Sequence, residues 1–168
     1  MKTIFQNLFL TVEKLFNAIF GERLNPFYYL GALTYFLLWI VIATGLYLYA
    51  FFETSVASAY PSVEALTHGQ RWVGGILRSV HRYASDGVVL GMLLHLTRHL
   101  TFGHHRGLHW FSWVSGVALL WLTYASGVNG YMLPWDRLSQ FVVTATTEWF
   151  DVLPLIGGAM TRNFVSNA

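Results

Sequence analysis

Two histidines, His81 and His95, lie fourteen residues apart in the sequence. At about 100° per helical residue, that interval falls about 40° short of four full turns, so both imidazoles leave one helix on nearly the same face. The rise between them is about 21 Å, most of the thickness of a bilayer's hydrocarbon core. A neutral imidazole donates one nitrogen lone pair to a metal while its other N–H is anchored, which suits it to axial ligation of haem iron. Arg78 precedes His81 by three residues and Arg98 follows His95 by three. Each guanidinium therefore lies near the face of its own histidine, displaced towards the nearer surface, where it could pair with a propionate. The alternatives are histidines that only hydrogen-bond inside a bundle and arginines that snorkel to water.

Glycine spacing adds a second signal. Gly31 and Gly45 are fourteen apart, as are Gly116 and Gly130. In an up–down–up arrangement, Gly31, His95 and Gly116 fall near one surface, and Gly45, His81 and Gly130 near the other. Glycine lets a flat macrocycle approach the backbone where a side chain would collide; close packing of helices at small residues is the other reading.

The elements that must position these residues are membrane helices. Of 168 residues, 55% are hydrophobic and 11% charged, against about 25% charged in an ordinary soluble domain. Seven Trp, nine Tyr and thirteen Phe suit a chain with aromatic belts at the lipid–water boundary. The absence of cysteine excludes disulfides, iron–sulfur clusters, thiolate zinc sites and thioether-linked haem. A net charge of +2 with no basic stripe gives no footprint for nucleic acid.

The fold expected is all-α and transmembrane, one membrane domain over residues 1–168. Residues 27–52 and 110–133 read as spans, helices A and C. Residues 71–102 form helix B, whose Arg78, His81, Arg82, Asp86, His95 and Arg98 are tolerated at depth only against protein, a partner or a cofactor. Leu8, Val12, Leu15, Phe16, Ile19 and Phe20 recur at helical spacing, so residues 5–21 read as an amphipathic interfacial helix, with a short soluble helix as the alternative. Asn25-Pro26 breaks the chain before helix A. Residues 136–150 read as a short surface helix and 151–168 as a loop and tail. Basic residues divide five against five across the membrane, both lysines on the N-terminal side; the positive-inside rule leans towards a cytoplasmic N-terminus.

The remaining histidines carry blander readings. His99, one turn beyond His95, reads as interfacial, since two ligands on one helix face cannot sit on opposite faces of a haem. His104, His105 and His109 beside Arg106 could bind a metal, but with no carboxylate nearby they read as a titrating or lipid-facing loop, and His68 is an isolated loop histidine. Asp136 and Arg137 either border a pocket at the outer surface or simply end a helix and begin a turn.

Arg78-Ser79-Val80-His81-Arg82, with His95 and Arg98, resembles helix B of the cytochrome b family, dihaem subunits of quinol–cytochrome c and plastoquinol–plastocyanin complexes. Ala43-Thr44-Gly45 and Gly130-Tyr131-Met132-Leu133-Pro134-Trp135-Asp136 also resemble that family, and are closer to its chloroplast type. The resemblance implies three helices, A, B and C, of a four-helix dihaem bundle, with two non-covalent haem b groups and electron transfer between quinone sites on opposite faces. His95 would ligate the high-potential haem near the cytoplasmic face, and His81 the low-potential haem near the outer face. Implied partners are Rieske-type and cytochrome c-type redox subunits, quinone and lipid, in a homodimeric complex of the bacterial inner membrane. The chain would act as an electron-transfer subunit, inactive alone.

Two departures matter. The chloroplast type carries a cysteine where this chain has Tyr29-Leu30-Gly31, so its extra haem should not be covalently present. The family's fourth helix, which bears the second histidine pair, and its Pro-Glu-Trp-Tyr motif are not in the sequence. The second axial ligands and the quinol site are therefore expected from a separate chain or segment. The rival readings are a haem b anchor passing electrons between quinone and a peripheral dehydrogenase, and a cofactor-free membrane scaffold.

Overall fold

The computed structural model describes residues 2–150. Six α-helices follow in order: α1 (Lys2–Phe20), α2 (Leu30–Phe51), α3 (Ala59–Glu64), α4 (Gly74–Thr101), α5 (Trp110–Met132) and α6 (Arg137–Phe150). Single 3₁₀ turns at Glu22–Leu24, Pro26–Tyr29 and Gly107–His109 and a π turn at Ala65–Gly69 join them. No strand occurs among the described residues.

The expected helices fall at 2–20, 30–51, 74–101, 110–132 and 137–150, against expectations of 5–21, 27–52, 71–102, 110–133 and 136–150. The first residues expected in helix A form the 3₁₀ turn instead. There Asn25 Oδ1 accepts from the Phe27 N–H at 2.9 Å and Pro26 opens the turn without needing a donor. Helix α3 and the π turn were not foreseen; residues 59–69 are short and interrupted by Pro61 and Gly69, leaving little periodicity to read. The expected tail, 151–168, lies outside the described residues.

Two helical stretches are long and apolar enough to cross a membrane, Glu22–Phe51 and Gly107–Met132. Large apolar side chains along both stand exposed, among them Phe36, Trp39, Leu46, Trp121 and Leu122. The 28 residues of α4 would extend about 42 Å, but its charged residues lower its hydropathy. Gly103, at φ +76°, ends α4: His104 N–H donates to the His99 carbonyl at 2.9 Å and Gly103 N–H to that of Leu100 at 3.2 Å, the paired bonds that close a helix through a left-handed residue.

The chain forms two compact units, Met1–Tyr47 with Leu77–Ala125, and Leu48–Ile76 with Ser126–Ala168. In the first unit, α2 and α4 run antiparallel in constant register: a Cβ at Gly91 would collide with Thr34, at Gly87 with Leu37, at Gly45 with His81, and at Gly31 with His95. Helix α5 meets α4 where a Cβ at Gly116 would lie 2.9 Å from Leu96 Cδ2 and Trp113 Nε1 donates to the Leu96 carbonyl at 3.4 Å. The second unit folds the π turn onto the start of α4, leaving no room for a Cβ at Gly74, which would sit against the Leu66 carbonyl. Its α6 begins with Asp136 accepting through Oδ1 from Ser139 N–H and Ser139 Oγ–H, each at 2.7 Å.

Candidate functional site

His81, Ala84, Val88, Gly91 and His95 follow one another at intervals of three and four along α4, the spacing of a single helix face. Ala84 and Val88 are buried, and the two histidines meet α2 at its two glycines. A Cβ at Gly45 would lie 3.0 Å from His81 Cε1 and 3.5 Å from Nδ1; a Cβ at Gly31 would lie 3.0 Å from His95 Cε1 and 3.3 Å from Nε2. The imidazoles thus occupy the notches that the missing side chains leave.

The His81 ring has a defined polarity. Its Nδ1 lies 3.1 Å from the Val41 carbonyl oxygen and 3.0 Å from Thr44 Oγ1. A carbonyl only accepts, and the Thr44 hydroxyl donates its single proton to the Ile40 carbonyl at 2.6 Å. Both neighbours therefore call for a proton on Nδ1, which leaves Nε2 with the lone pair a metal requires. That Nε2 lies beyond 4 Å of the Gly45 Cβ position. His95 makes no such bond among the described residues; its ring packs on His99 at a centroid distance of 4.4 Å. No cluster of three or more metal-ligating side chains occurs among the described residues. The donor set is one imidazole at each of two depths, which suits axial ligation of a macrocycle-held iron and does not suit a metal caged by protein alone. The residues present fit haem.

The arginines differ in their surroundings. Arg78 sits one turn before His81, half-buried. Arg98 Nε donates to Glu13 Oε1 at 2.9 Å, both side chains largely buried, and its guanidinium lies over the Phe102 and Tyr28 rings at 5.3 and 5.8 Å. Of the glycines, Gly31, Gly45 and Gly116 line α4 in the first unit. Gly130 belongs to the second, where a Cβ would meet nothing within 4 Å.

The sequence reading missed several residues of this end. Asn25 is fully buried and donates through Nδ2 to the Glu13 carbonyl at 3.0 Å and to Asn17 Oδ1 at 2.7 Å. Gln6 Nε2 donates to the Thr101 carbonyl at 2.9 Å. Gln6 and the Glu13–Arg98 pair bolt α1 to the His95 end of α4, while Asn25 ties α1 to the turn before α2; an Asn before Pro signalled a break, and nothing local signalled its partners.

His68 is corrected: it lies in the π turn, its Nε2 3.2 Å from Glu64 Oε2, not in an irregular loop. His104 packs on His99 at 5.3 Å and His105 on Trp113 at 5.8 Å. Asp136 is engaged in capping α6.

Residues 15–167 match the family model described as Cytochrome b/b6/petB. Cytochrome b6 of Tupiella akineta is 35% identical over 141 residues, and that of Synechococcus elongatus is likewise 35% identical over 141. Cytochrome b6 of Porphyra purpurea is 35% identical over 140. Each alignment covers 83% of this chain and 65% of the relative, so the chain spans about two-thirds of the length of these proteins. With only helices and turns among the described residues, two apolar helices of spanning length, a family model covering nearly every residue and the histidine face of α4 set against glycine, the chain belongs to the cytochrome b/b6 family of integral membrane proteins.

Proposed function

We propose that the chain is the haem-bearing N-terminal part of a quinol oxidoreductase of the cytochrome b type, in which His81 and His95 each supply one axial ligand to a non-covalent haem b. When bound, haem supplies one-electron chemistry that would link quinone sites on opposite faces of the membrane. The chain's own residues do the rest. Helix α4 fixes the two imidazoles about 21 Å apart along its axis. Val41 and Thr44 hold the proton on His81 Nδ1 and keep Nε2 basic. Arg78 and Arg98 offset propionate charge, Gly31 and Gly45 seat the two imidazoles against α2, Gly116 lets α5 approach Leu96, and Gly130 leaves open space beside the backbone for a flat ring.

In this reading α4 is a third span between α2 and α5. Its Arg82 and Asp86 at depth are accommodated by protein and cofactor, α1 lies in the interface, and α6 is a short surface helix. The second ligand of each haem, and the quinol pocket, come from protein beyond the described residues. A redox subunit of the Rieske or cytochrome c type would exchange electrons with the complex, which is homodimeric and sits in a bacterial inner membrane with the N-terminus cytoplasmic.

The observation that carries this reading is the fit of each imidazole against its own glycine of α2, with His81 held in the tautomer that leaves Nε2 free. The test is the reduced-minus-oxidised absorption spectrum of the purified complex, followed by His81→Leu and His95→Leu separately. The expected outcome is b-type bands in the wild type and loss of a different haem in each variant. A wild-type spectrum without such bands would overturn the reading in favour of a scaffold in which these histidines only hydrogen-bond between helices.

A further inference from the structure

Glu13 is a charged residue on a helix otherwise rich in apolar side chains, and it is buried. Burying a carboxylate is costly unless it is paired and hydrogen-bonded. Its partner lies 85 residues along the chain: Arg98 Nε donates to Oε1 at 2.9 Å, with 20% of the Arg98 side chain and 8% of that of Glu13 exposed. Aromatic rings of Tyr28 and Phe102 lie against the same guanidinium. The backbone of Glu13 is itself fixed, since its carbonyl accepts from the fully buried Asn25.

The manner of pairing matters. A guanidinium can meet a carboxylate through its two terminal nitrogens, which uses up the fork, or through Nε, which leaves four terminal N–H donors for another acceptor. Here the ion pair is made through Nε, and the terminal nitrogens have no hydrogen-bond partner among the described residues. Arg98 is also one helical turn from His95, on the side towards the surface. A short side chain or a lysine could not be anchored by one carboxylate and still present a planar pair of donors to a second.

We propose that Glu13 is a positioning residue for the His95-side site: it grips Arg98 through Nε so that the terminal guanidinium nitrogens serve a haem propionate. This rests on the haem reading given above. It makes the interfacial helix a part of the site. Glu13 also neutralises much of the Arg98 charge, so the haem at that end would be reduced less readily than Arg98 alone would allow.

The test is a potentiometric titration of the two haems in the intact complex carrying Glu13→Gln, with Glu13→Asp beside it. Glu13→Gln removes a negative charge beside Arg98, so the expected result is an upward shift in the midpoint potential of the His95-side haem alone. The His81-side haem, some 20 Å or more away along the helix, stays where it was, and Glu13→Asp returns most of the shift. Two unmoved potentials in a Glu13→Gln complex that binds both haems would overturn the inference and leave the haem reading intact, since a residue that only braced α1 would lower the melting temperature without selecting one haem. Equal shifts of both potentials would overturn it too. Should Glu13→Gln fail to assemble, Arg98→Lys reads the same point: with Glu13 holding the ammonium, the propionate loses its donors, and the His95-side potential falls. An unmoved potential there would overturn the inference. Absence of b-type bands in the wild type would overturn the haem reading and this inference with it.

Discussion

His81 is tied to Val41 by a 3.1 Å contact between Nδ1 and the carbonyl oxygen, and that tie makes its ring the less yielding of the two imidazoles. A Cβ at Gly45 would approach His81 Cε1 as closely as a Cβ at Gly31 approaches His95 Cε1, 3.0 Å in each case. The outcomes differ because only one ring is free to move aside. His95 has no hydrogen bond among the described residues, whereas His81 would have to stretch its bonds to Val41 and Thr44.

Gly45→Ala should therefore destabilise the protein by about 1–3 kcal/mol, the usual range for overpacking a close contact, and Gly31→Ala by less. Denaturant unfolding of the two variants in detergent gives the comparison. Equal losses would show that the ring at His81 is no more firmly held than the ring at His95.

Thr44→Val keeps the shape of the side chain and removes the hydroxyl that His81 Nδ1 faces at 3.0 Å. The Val41 carbonyl still accepts, so the proton stays on Nδ1 and the loss should be limited to about 0.5–1.5 kcal/mol, one neutral hydrogen bond. Thermal unfolding measures it; under the haem reading, the His81-side potential should also shift while the His95-side one does not.

The helix face shared by His81 and His95, and the fourteen-residue interval that matches them to Gly45 and Gly31 of α2, were legible because both follow from helical period and rise, which are local to the chain. Glu13 and Asn25 were not. Each is buried because of groups on other elements, and the partner of Glu13 is 85 residues away, beyond any pattern that periodicity can report. Asp136 could be read either as a pocket carboxylate or as a turn residue; the bonds from Ser139 show its capping role. Arg98 shows the limit from the other side. Its spacing from His95 placed it at the right end of the helix, but spacing alone could not reveal that a carboxylate already held it.

Asn25→Ala should be severe for one substitution. The side chain is fully buried and satisfies the Glu13 carbonyl, Asn17 Oδ1 and the Phe27 N–H, so truncation strands several buried polar groups. A loss of roughly 2–4 kcal/mol is expected, given about 1–3 kcal/mol for each unsatisfied group and partial rescue by water. Hydrogen exchange should quicken across residues 5–20 and 25–29, while amides in the middle of α5 stay protected.

The contact between Gly91 and Thr34 sets how closely α2 and α4 approach between the two histidines. A Cβ at Gly91 would overlap Thr34 Oγ1, and that hydroxyl cannot swing away without giving up its 2.7 Å bond to the Leu30 carbonyl. Gly91→Ala alone should therefore push the helices apart or force the threonine off its rotamer, at about 1–3 kcal/mol. Thr34→Ala removes the obstructing oxygen and leaves only Thr34 Cβ at the ordinary distance of 3.4 Å. In the Thr34→Ala background, Gly91→Ala should then be nearly neutral, giving a favourable coupling of at least 1 kcal/mol in a double-mutant cycle. Additive losses would mean that the two helices are held apart by something other than this pair, and that small residues on α4 do not set the spacing at which its histidines meet α2.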